Sequence, residues 1–251
     1  MTRNFTYSAL TLRVKPSGES NREAWFLTAE EGLVRATVFG GPKSRFRSLV
    51  SPFHQGILMI YHDPVRDSRK VSDFDVQSYR IGLREMWERV MTADSIAETI
   101  LSSRGGGGNW PEALELAGGV LDALASAEQA KCSEISVYFL WHWARFLGLG
   151  PELSASCTCR PRHDEVLWYS PRKEAFYCEN CAGSGSQPGS DASFRVGVEA
   201  ITWLQKIETI PPAAILDMEI RLEESPALEQ AKNLSQAVMA GALGKKLPGW
   251  N

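Results

Sequence analysis

The sequence has no long uninterrupted hydrophobic run. The longest stretch that resembles a membrane span, residues 137–149, contains His142 and Arg145. It is also shorter than the ~20 apolar residues that a bilayer-spanning helix needs. The N-terminal residues lack an apolar segment followed by a small-residue cleavage site, so no secretory signal is expected. These absences predict a cytoplasmic protein without a membrane segment.

Enzyme signatures are missing as well. The sequence contains neither a Gly-x-x-x-x-Gly-Lys-[Ser/Thr] phosphate loop nor a Gly-x-Ser-x-Gly nucleophile elbow. The glycine run 105–108 has no preceding strand and no lysine, so we interpret it as a linker. His54, His62 and His142 have no evident catalytic partner, and no pair of carboxylates suggests acid–base chemistry. We therefore expect a protein without catalytic activity.

An overall positive charge is also absent, since the formal net charge is −3. The charges are unevenly distributed, however. Residues 1–80 carry 12 Lys and Arg against 8 Asp and Glu, whereas residues 81–251 carry 15 against 22. A basic first third joined to an acidic remainder predicts two modules with different partners.

What the first third does contain is a series of short β-type runs separated by glycine and proline turns. Five strands in so few residues favour a small barrel of the OB type. The runs cover residues 5–14, 24–28, 33–39, 57–61 and 71–76.

After Asp75 the apolar period becomes helical. A helix rich in aromatic residues is predicted over 129–147, at the buried centre of the helical domain. A last helix is predicted over 227–243. Helical spacing also returns at Phe194. The predicted fold class is α+β: a five-stranded OB-type barrel over residues 1–78, then an all-helical domain over 79–251 with a zinc-ribbon-like insertion at about 152–190.

Four of the five cysteines form a metal-ligand pattern. Cys157 and Cys159 are followed, after 18 residues, by Cys178 and Cys181. Four thiolates make a closed tetrahedral zinc shell, which is typical of a structural site. Cys132 stands apart on a predicted helix, where a small core residue is the simpler interpretation.

The segment between the cysteine pairs contains two short β-like runs around Pro171, which predicts a ribbon hairpin. The first pair is Cys-x-Cys, one residue shorter than a standard knuckle, and His163 lies close enough in sequence to serve as a replacement ligand. Four free thiols without metal are the alternative.

A basic stretch joins the third and fourth predicted strands. Lys43, Arg45 and Arg47 surround Phe46, so the cations could contact phosphates while the ring stacks on a base. An ordinary solvated loop is the competing interpretation. Further cations on the first and third strands complete the predicted DNA-binding set: Arg13, Lys15 and Arg35.

With these features in place, the chain resembles the RecO family of bacterial recombination mediators. The resemblance rests on short motifs in a characteristic order. They are Gly18-Glu19, Phe26-Leu27-Thr28, Glu31-Gly32-Leu33, Gly40 to Ser44, Leu49, Pro52-Phe53, Leu153 and the four cysteines. It implies binding to single- and double-stranded DNA, annealing of complementary strands, and action with RecR. It also implies help in loading RecA onto strands coated by single-stranded DNA-binding protein (SSB), contact with the SSB C-terminal tail, and RecF as a further candidate partner. Such a protein would act at the nucleoid.

A zinc-thiolate redox switch with chaperone-like activity is the alternative function. The paired cysteines resemble the metal centre of a redox-regulated chaperone family, although that family places its pairs further apart and near the C-terminus. Zinc release by peroxide with a gain of holdase activity would favour this alternative.

Overall fold

The computed structural model describes residues 3–41, 44–153, 157, 167–178, 181, 193–218, 226–244 and 250. The chain forms two compact units, Met1–Ser126 and Ala127–Asn251. Among the described residues, no helix combines the length and the apolar character that crossing a membrane requires.

Five strands of the first unit close into a barrel. They are β1 (Asn4–Ser17), β2 (Asn21–Thr28), β3 (Gly32–Val38), β4 (Gln55–Asp63) and β5 (Ser68–Ser78). Their order around the barrel is β1-β2-β3-β5-β4, with β4 paired to β1. All neighbours are antiparallel except β3 and β5, which pair in parallel where Thr37 meets Lys70. The predicted five-stranded OB-type barrel is confirmed.

Alternation along the strands fills the barrel with apolar side chains. Phe26 and Phe74 meet edge to face at its centre, with ring centroids 6.1 Å apart. A one-turn helix, α1 (Phe46–Leu49), follows β3, and Phe46 packs against this core. The buried core residues are Tyr7, Ala9, Ala24, Phe26, Val34, Ala36, Val38, Val50, Leu58, Ile60, Val71 and Phe74.

The first unit continues past the barrel through a short 3₁₀ segment, Ile81–Glu85, into α2 (Trp87–Ser102) and α3 (Trp110–Ser126). Helix α2 contacts β1, and α3 contacts β1 and β2. The glycine run between the helices is a linker, as predicted. Gly105, Gly106 and Gly108 have φ values of 77°, 91° and 112°, a region that side-chain-bearing residues rarely adopt. The strands end near residue 78, but the compact unit extends to Ser126 because these helices pack on the barrel.

Arg80 ties the barrel to its helices. Its side chain is only 2% exposed and donates to the Asp122 carboxylate at 2.7 Å. It also donates to the Phe53 carbonyl at 2.8 Å, to the Gln55 side chain at 2.7 Å and to the Gly118 carbonyl at 3.2 Å. A buried guanidinium is tolerated here because its donors are matched by acceptors from β4, α3 and the preceding loop.

The second unit is built around α4 (Gln129–Phe146), in which Phe139, Trp141 and Trp143 are fully buried. This confirms the predicted central helix. Helix α4 packs against a long last helix, here named α6, which spans Pro226–Leu243. Between them in sequence lie α5 (Val198–Ile207) and a 3₁₀ segment, Pro212–Ile215.

A small sheet also belongs to the second unit. Strands β6 (Leu167–Ser170), β7 (Ala175–Tyr177) and β8 (Phe194–Val196) pair antiparallel in the order β7-β6-β8. The predicted ribbon hairpin around Pro171 is thus present. The expectation of helical structure at Phe194 was wrong, because this residue pairs with Tyr169 in the sheet and the helix begins only at Val198.

Candidate nucleic-acid interface and metal centre

The outer surface of the barrel carries a tryptophan between two arginines. In the strand register Arg13 lies opposite Trp25, and Trp25 lies opposite Arg35. Directly opposed residues on antiparallel strands share one face of the sheet, so the three side chains form one row across β1, β2 and β3. We call this set the barrel row.

Two cations lie close to the aromatic ring of Trp25. The Arg35 guanidinium lies 5.6 Å from the centroid of the indole, and the Lys15 ammonium lies 5.9 Å from it. These are cation–π distances. Trp25 itself is half-buried, whereas its neighbours Ala24 and Phe26 point into the core. The row therefore combines an aromatic surface with positive charge.

The sequence interpretation missed Trp25, which it treated only as part of an apolar strand. The signal was present in the alternation, since buried Ala24 and Phe26 require the residue between them to point outward. An outward-facing tryptophan on a barrel strand is informative because large apolar side chains are normally buried.

Two of the predicted cations on the barrel strands already have carboxylate partners. Arg13 pairs with Glu98 on α2, and its side chain is 26% exposed. Arg35 pairs with Glu23 on the neighbouring strand but keeps a side chain that is 64% exposed. Arg35 thus still presents its guanidinium to solvent, while Arg13 is largely engaged in joining the barrel to a helix.

A groove begins beside Arg35, between β3 and the start of β5. It has a volume of ≈ 510 Å³ and is lined by backbone and polar side chains. It opens where the parallel pairing of β3 and β5 is short. Its lining residues are Glu23, Arg35, Ala36, Thr37, Asp67, Ser68 and Arg69.

The basic loop lies at α1. Arg45 is 67% exposed, donates to Asp73 on β5 at 3.1 Å, and lies 5.1 Å from the centroid of the Phe46 ring. The Phe46 ring is partly buried against the barrel core, and its stacking on a base stays a prediction. Arg47 is exposed, and Lys43 lies outside the described residues.

A further cation, on a neighbouring strand, lies close to this loop. Arg22, at the start of β2, donates to the Phe46 carbonyl at 2.9 Å. Burial lowers the pKa of Arg22, and the nearby positive charge of Arg47 lowers it further. The positive charges of Arg22 and Arg47 thus repel one another.

Three of the predicted zinc ligands converge. The sulfur atoms of Cys157, Cys178 and Cys181 all lie within 4.8 Å of one another. Sulfurs at ~2.3 Å from a tetrahedral zinc ion are separated by about 3.8 Å, so this arrangement fits such an ion and leaves one position for a fourth ligand. Cys159 and His163 lie outside the described residues.

The remaining cysteine is buried, and His142 is half-buried. Cys132 is buried on α4, where its thiol lies 3.6 Å from the Glu128 carbonyl. The His142 Nε2 lies 2.9 Å from the Ile207 carbonyl, and its ring stacks on Tyr138. Since a carbonyl can only accept, the His142 Nε2 carries the hydrogen.

Comparisons with known proteins agree with this architecture. Residues 1–79 match the family described as "Recombination protein O N terminal", and residues 84–196 match "Recombination protein O C terminal". A curated relative named DNA repair protein RecO, from Oleidesulfovibrio alaskensis, is 23% identical over 224 residues. The matched region covers 88% of this chain and 88% of the relative.

Proposed function

The chain belongs to the recombination protein O family and so has a role in DNA repair and recombination, and we propose that it acts there by binding DNA on the barrel row and annealing complementary strands. The observation that carries this proposal is the half-buried, outward-facing Trp25, with Lys15 and Arg35 both at cation–π distance from its ring. Stacking of bases on an aromatic ring, next to cations for phosphates, is how OB-type barrels hold single strands.

The charges support a path for one strand. From the barrel row, a strand could follow the groove beside Arg35 while phosphates contact exposed cations. Arg35 and Arg45 are now paired with carboxylates on the protein surface. Such exposed pairs contribute little to stability, typically about 0–1 kcal/mol, so a phosphate can replace the carboxylate at small cost. Lys43 and Arg47 would add charge at the loop.

Annealing needs no catalytic group. We propose that the protein neutralises backbone charge on two strands, which lowers their mutual repulsion and allows base pairing. About four phosphate contacts would give a slope near −3 for log K against log salt, at roughly 0.7 per contact. Double-stranded DNA, the product of annealing, is expected to bind through the same cations with a smaller contribution from stacking.

Family membership supports a proposal for the protein partners. We propose that the protein works with RecR, contacts the acidic and apolar tail of SSB, and so helps RecA load onto SSB-coated strands, with RecF as a further candidate partner. Binding of an SSB tail peptide and of RecR to the purified protein, measured calorimetrically, tests each contact separately.

We also propose that zinc occupies the cysteine cluster with a structural role. Cys157, Cys178 and Cys181 would supply three thiolates, and Cys159 would be the fourth ligand. Zinc would join the hairpin of β6 and β7 to the chain before it. Metal analysis of the purified protein tests this directly, with one zinc per chain as the expected result.

The central test is annealing of complementary oligonucleotides coated with SSB. We expect the wild-type protein to accelerate annealing, and Trp25→Ala to reduce single-strand affinity by about 1–3 kcal/mol, the usual contribution of one stacked base. Trp25→Phe, which keeps an aromatic face, is the matched control and should retain most of the affinity. No acceleration by the wild-type protein would refute the proposal.

A further inference from the structure

The small sheet of the second unit repeats the side-chain arrangement of the barrel row. In the register, Trp168 on β6 lies opposite Tyr177 on β7 and opposite Arg195 on β8. The three residues therefore share one face, with a tryptophan in the middle strand and an arginine beside it. We call this set the ribbon row.

The other face of the small sheet is buried in the core of the second unit. Tyr169, Phe176 and Val196 are buried, and the Tyr169 ring packs on Phe176 and Phe194 with centroids 5.5 and 5.7 Å apart. Burial raises the pKa of Tyr169 to about 12. Since the neighbours of Trp168 on its own strand point inward, Trp168 points outward, and it is only half-buried.

Positive charge surrounds the ribbon row. The Lys173 ammonium lies 5.3 Å from the centroid of the Tyr177 ring, and Arg172, Lys173 and Arg195 are exposed. Within residues 167–178 and 193–196, these three cations are accompanied by a single carboxylate, Glu174. The described part of this sheet is thus locally basic, whereas the rest of residues 127–251 carries 14 Asp and Glu against 9 Lys and Arg.

We propose that the ribbon row is a second contact for single-stranded DNA, separate from the barrel row. This inference rests on the proposed function, because it assumes that the protein handles single strands. Trp168 and Tyr177 would stack on bases, and Lys173 and Arg195 would contact the flanking phosphates. Strand β6 has four residues, a length of about 13 Å at ~3.3 Å per residue. Exposed aromatics on small sheets hold two or three bases in this way.

Single-stranded nucleic acid fits this surface better than a folded partner does. The stacking groups of the ribbon row are aromatic rings bordered by cations. A contact between a base and such a ring tolerates any base sequence. Two contacts on one molecule would also give an annealing protein a place for each strand. The second strand would then meet the first at a raised effective concentration.

The experiment measures single-strand affinity and annealing rate in variants of the full-length protein. Because the barrel row would mask a weaker site, Trp168→Ala is made in the Trp25→Ala background. We expect the double variant to bind an oligothymidylate about 5- to 150-fold more weakly than Trp25→Ala does, the range for one lost stacking contact. Trp168→Phe should restore most of this loss.

Arg195→Ala provides a second test on an exposed side chain, so it avoids any folding defect of Trp168→Ala. It should make the salt slope shallower by roughly 0.7. Lys206→Ala, an exposed cation on α5, changes the net charge equally and should leave the slope unchanged. Zinc content and circular dichroism verify that each variant keeps its fold.

The outcomes separate the two proposals. If Trp25→Ala lowers binding, while Trp168→Ala and Arg195→Ala match their parents in affinity, salt slope and annealing, the ribbon row is not a DNA contact and the barrel function stands. If the wild-type protein binds no single strand, the proposed function itself fails. Loss of affinity in both ribbon variants, with Lys206→Ala unchanged, supports the second contact.

Discussion

The barrel row and the ribbon row present similar chemistry on very different supports. Trp25 lies on a closed barrel filled by twelve buried apolar residues. Trp168 lies on the middle strand of a three-stranded sheet, in which each strand has only three or four residues. A closed barrel leaves no strand edge and buries its own core. A sheet as small as the second one needs another source of stability, and three converging thiols lie next to it in sequence.

Because their supports differ, the two rows should respond differently to loss of the metal and to oxidation of the thiols. The barrel row should be insensitive to metal and to thiol oxidation, since its core contains no cysteine. The ribbon row should depend on both, because Cys178 directly follows β7.

The largest expected effect is the loss of the metal centre in Cys178→Ala. Structural zinc contributes on the order of 10–16 kcal/mol of apparent binding free energy in small zinc modules. We expect this variant to lose zinc and to exchange the amides of β6 and β7 quickly. The amides of β2 and β3 should stay protected. Hydrogen exchange followed by mass spectrometry measures both regions in one sample.

Cys132→Ala is the control for this change, because Cys132 is a buried thiol outside the cluster. It should keep its zinc. Two results would contradict the expectation that only the ribbon row depends on the metal. One is faster amide exchange in the barrel of Cys178→Ala, and the other is unchanged amide exchange in the hairpin of β6 and β7 after zinc is lost.

A large effect confined to the first unit is expected for Arg80→Ala. This change removes the buried donor to the Phe53 carbonyl and to the Gln55 side chain, which should cost about 3 kcal/mol or more of unfolding free energy. Urea denaturation measures it. The exposed Arg84→Ala, which removes only a 3.2 Å contact with Ser51 and a contact with His54, is the control and should cost less than about 1 kcal/mol. Equal losses would show that Arg80 does not hold the unit together.

A moderate effect on binding is expected for Lys43→Ala/Arg45→Ala/Arg47→Ala. If all three cations contact phosphates, the salt slope should become shallower by about 2, at roughly 0.7 per contact. Fluorescence anisotropy across a salt series measures the slope, and the zinc content should be unchanged. Binding that is unaltered at matched salt would remove this loop from the DNA interface.

The smallest effect concerns pH, and it sets one histidine in each unit against the other. Burial lowers the pKa of His54 and of His142 below 6.5. The unfolded chain then binds more protons than the folded one as pH falls below about 6.5, so stability is present above this pH and is lost as pH falls through the folded pKa. His142→Gln should reduce this acid sensitivity in the second unit, as measured by thermal unfolding at several pH values. His54→Gln should do the same in the first unit, and each change should leave the acid sensitivity of the other unit unchanged.

Much of this architecture follows from local patterns. A period of two predicted the five strands, a helical period predicted α4 and α6, and the cysteine spacing predicted the cluster. These features depend on residues close together in the sequence, and their side-chain alternation is fixed by backbone geometry. The error at Phe194 has the same origin, since a three-residue strand is too short to show a period of its own.

The types of most elements can be read from the amino-acid sequence, as can the basic character of the first third and the thiols available for metal. Which side chains act together depends on the three-dimensional packing. Arg13, Trp25 and Arg35 become neighbours through strand pairing, and Phe46 turns to the core because the barrel end offers it an apolar surface. Pairing joins residues that are distant in the chain, and its register is set by packing of the whole barrel.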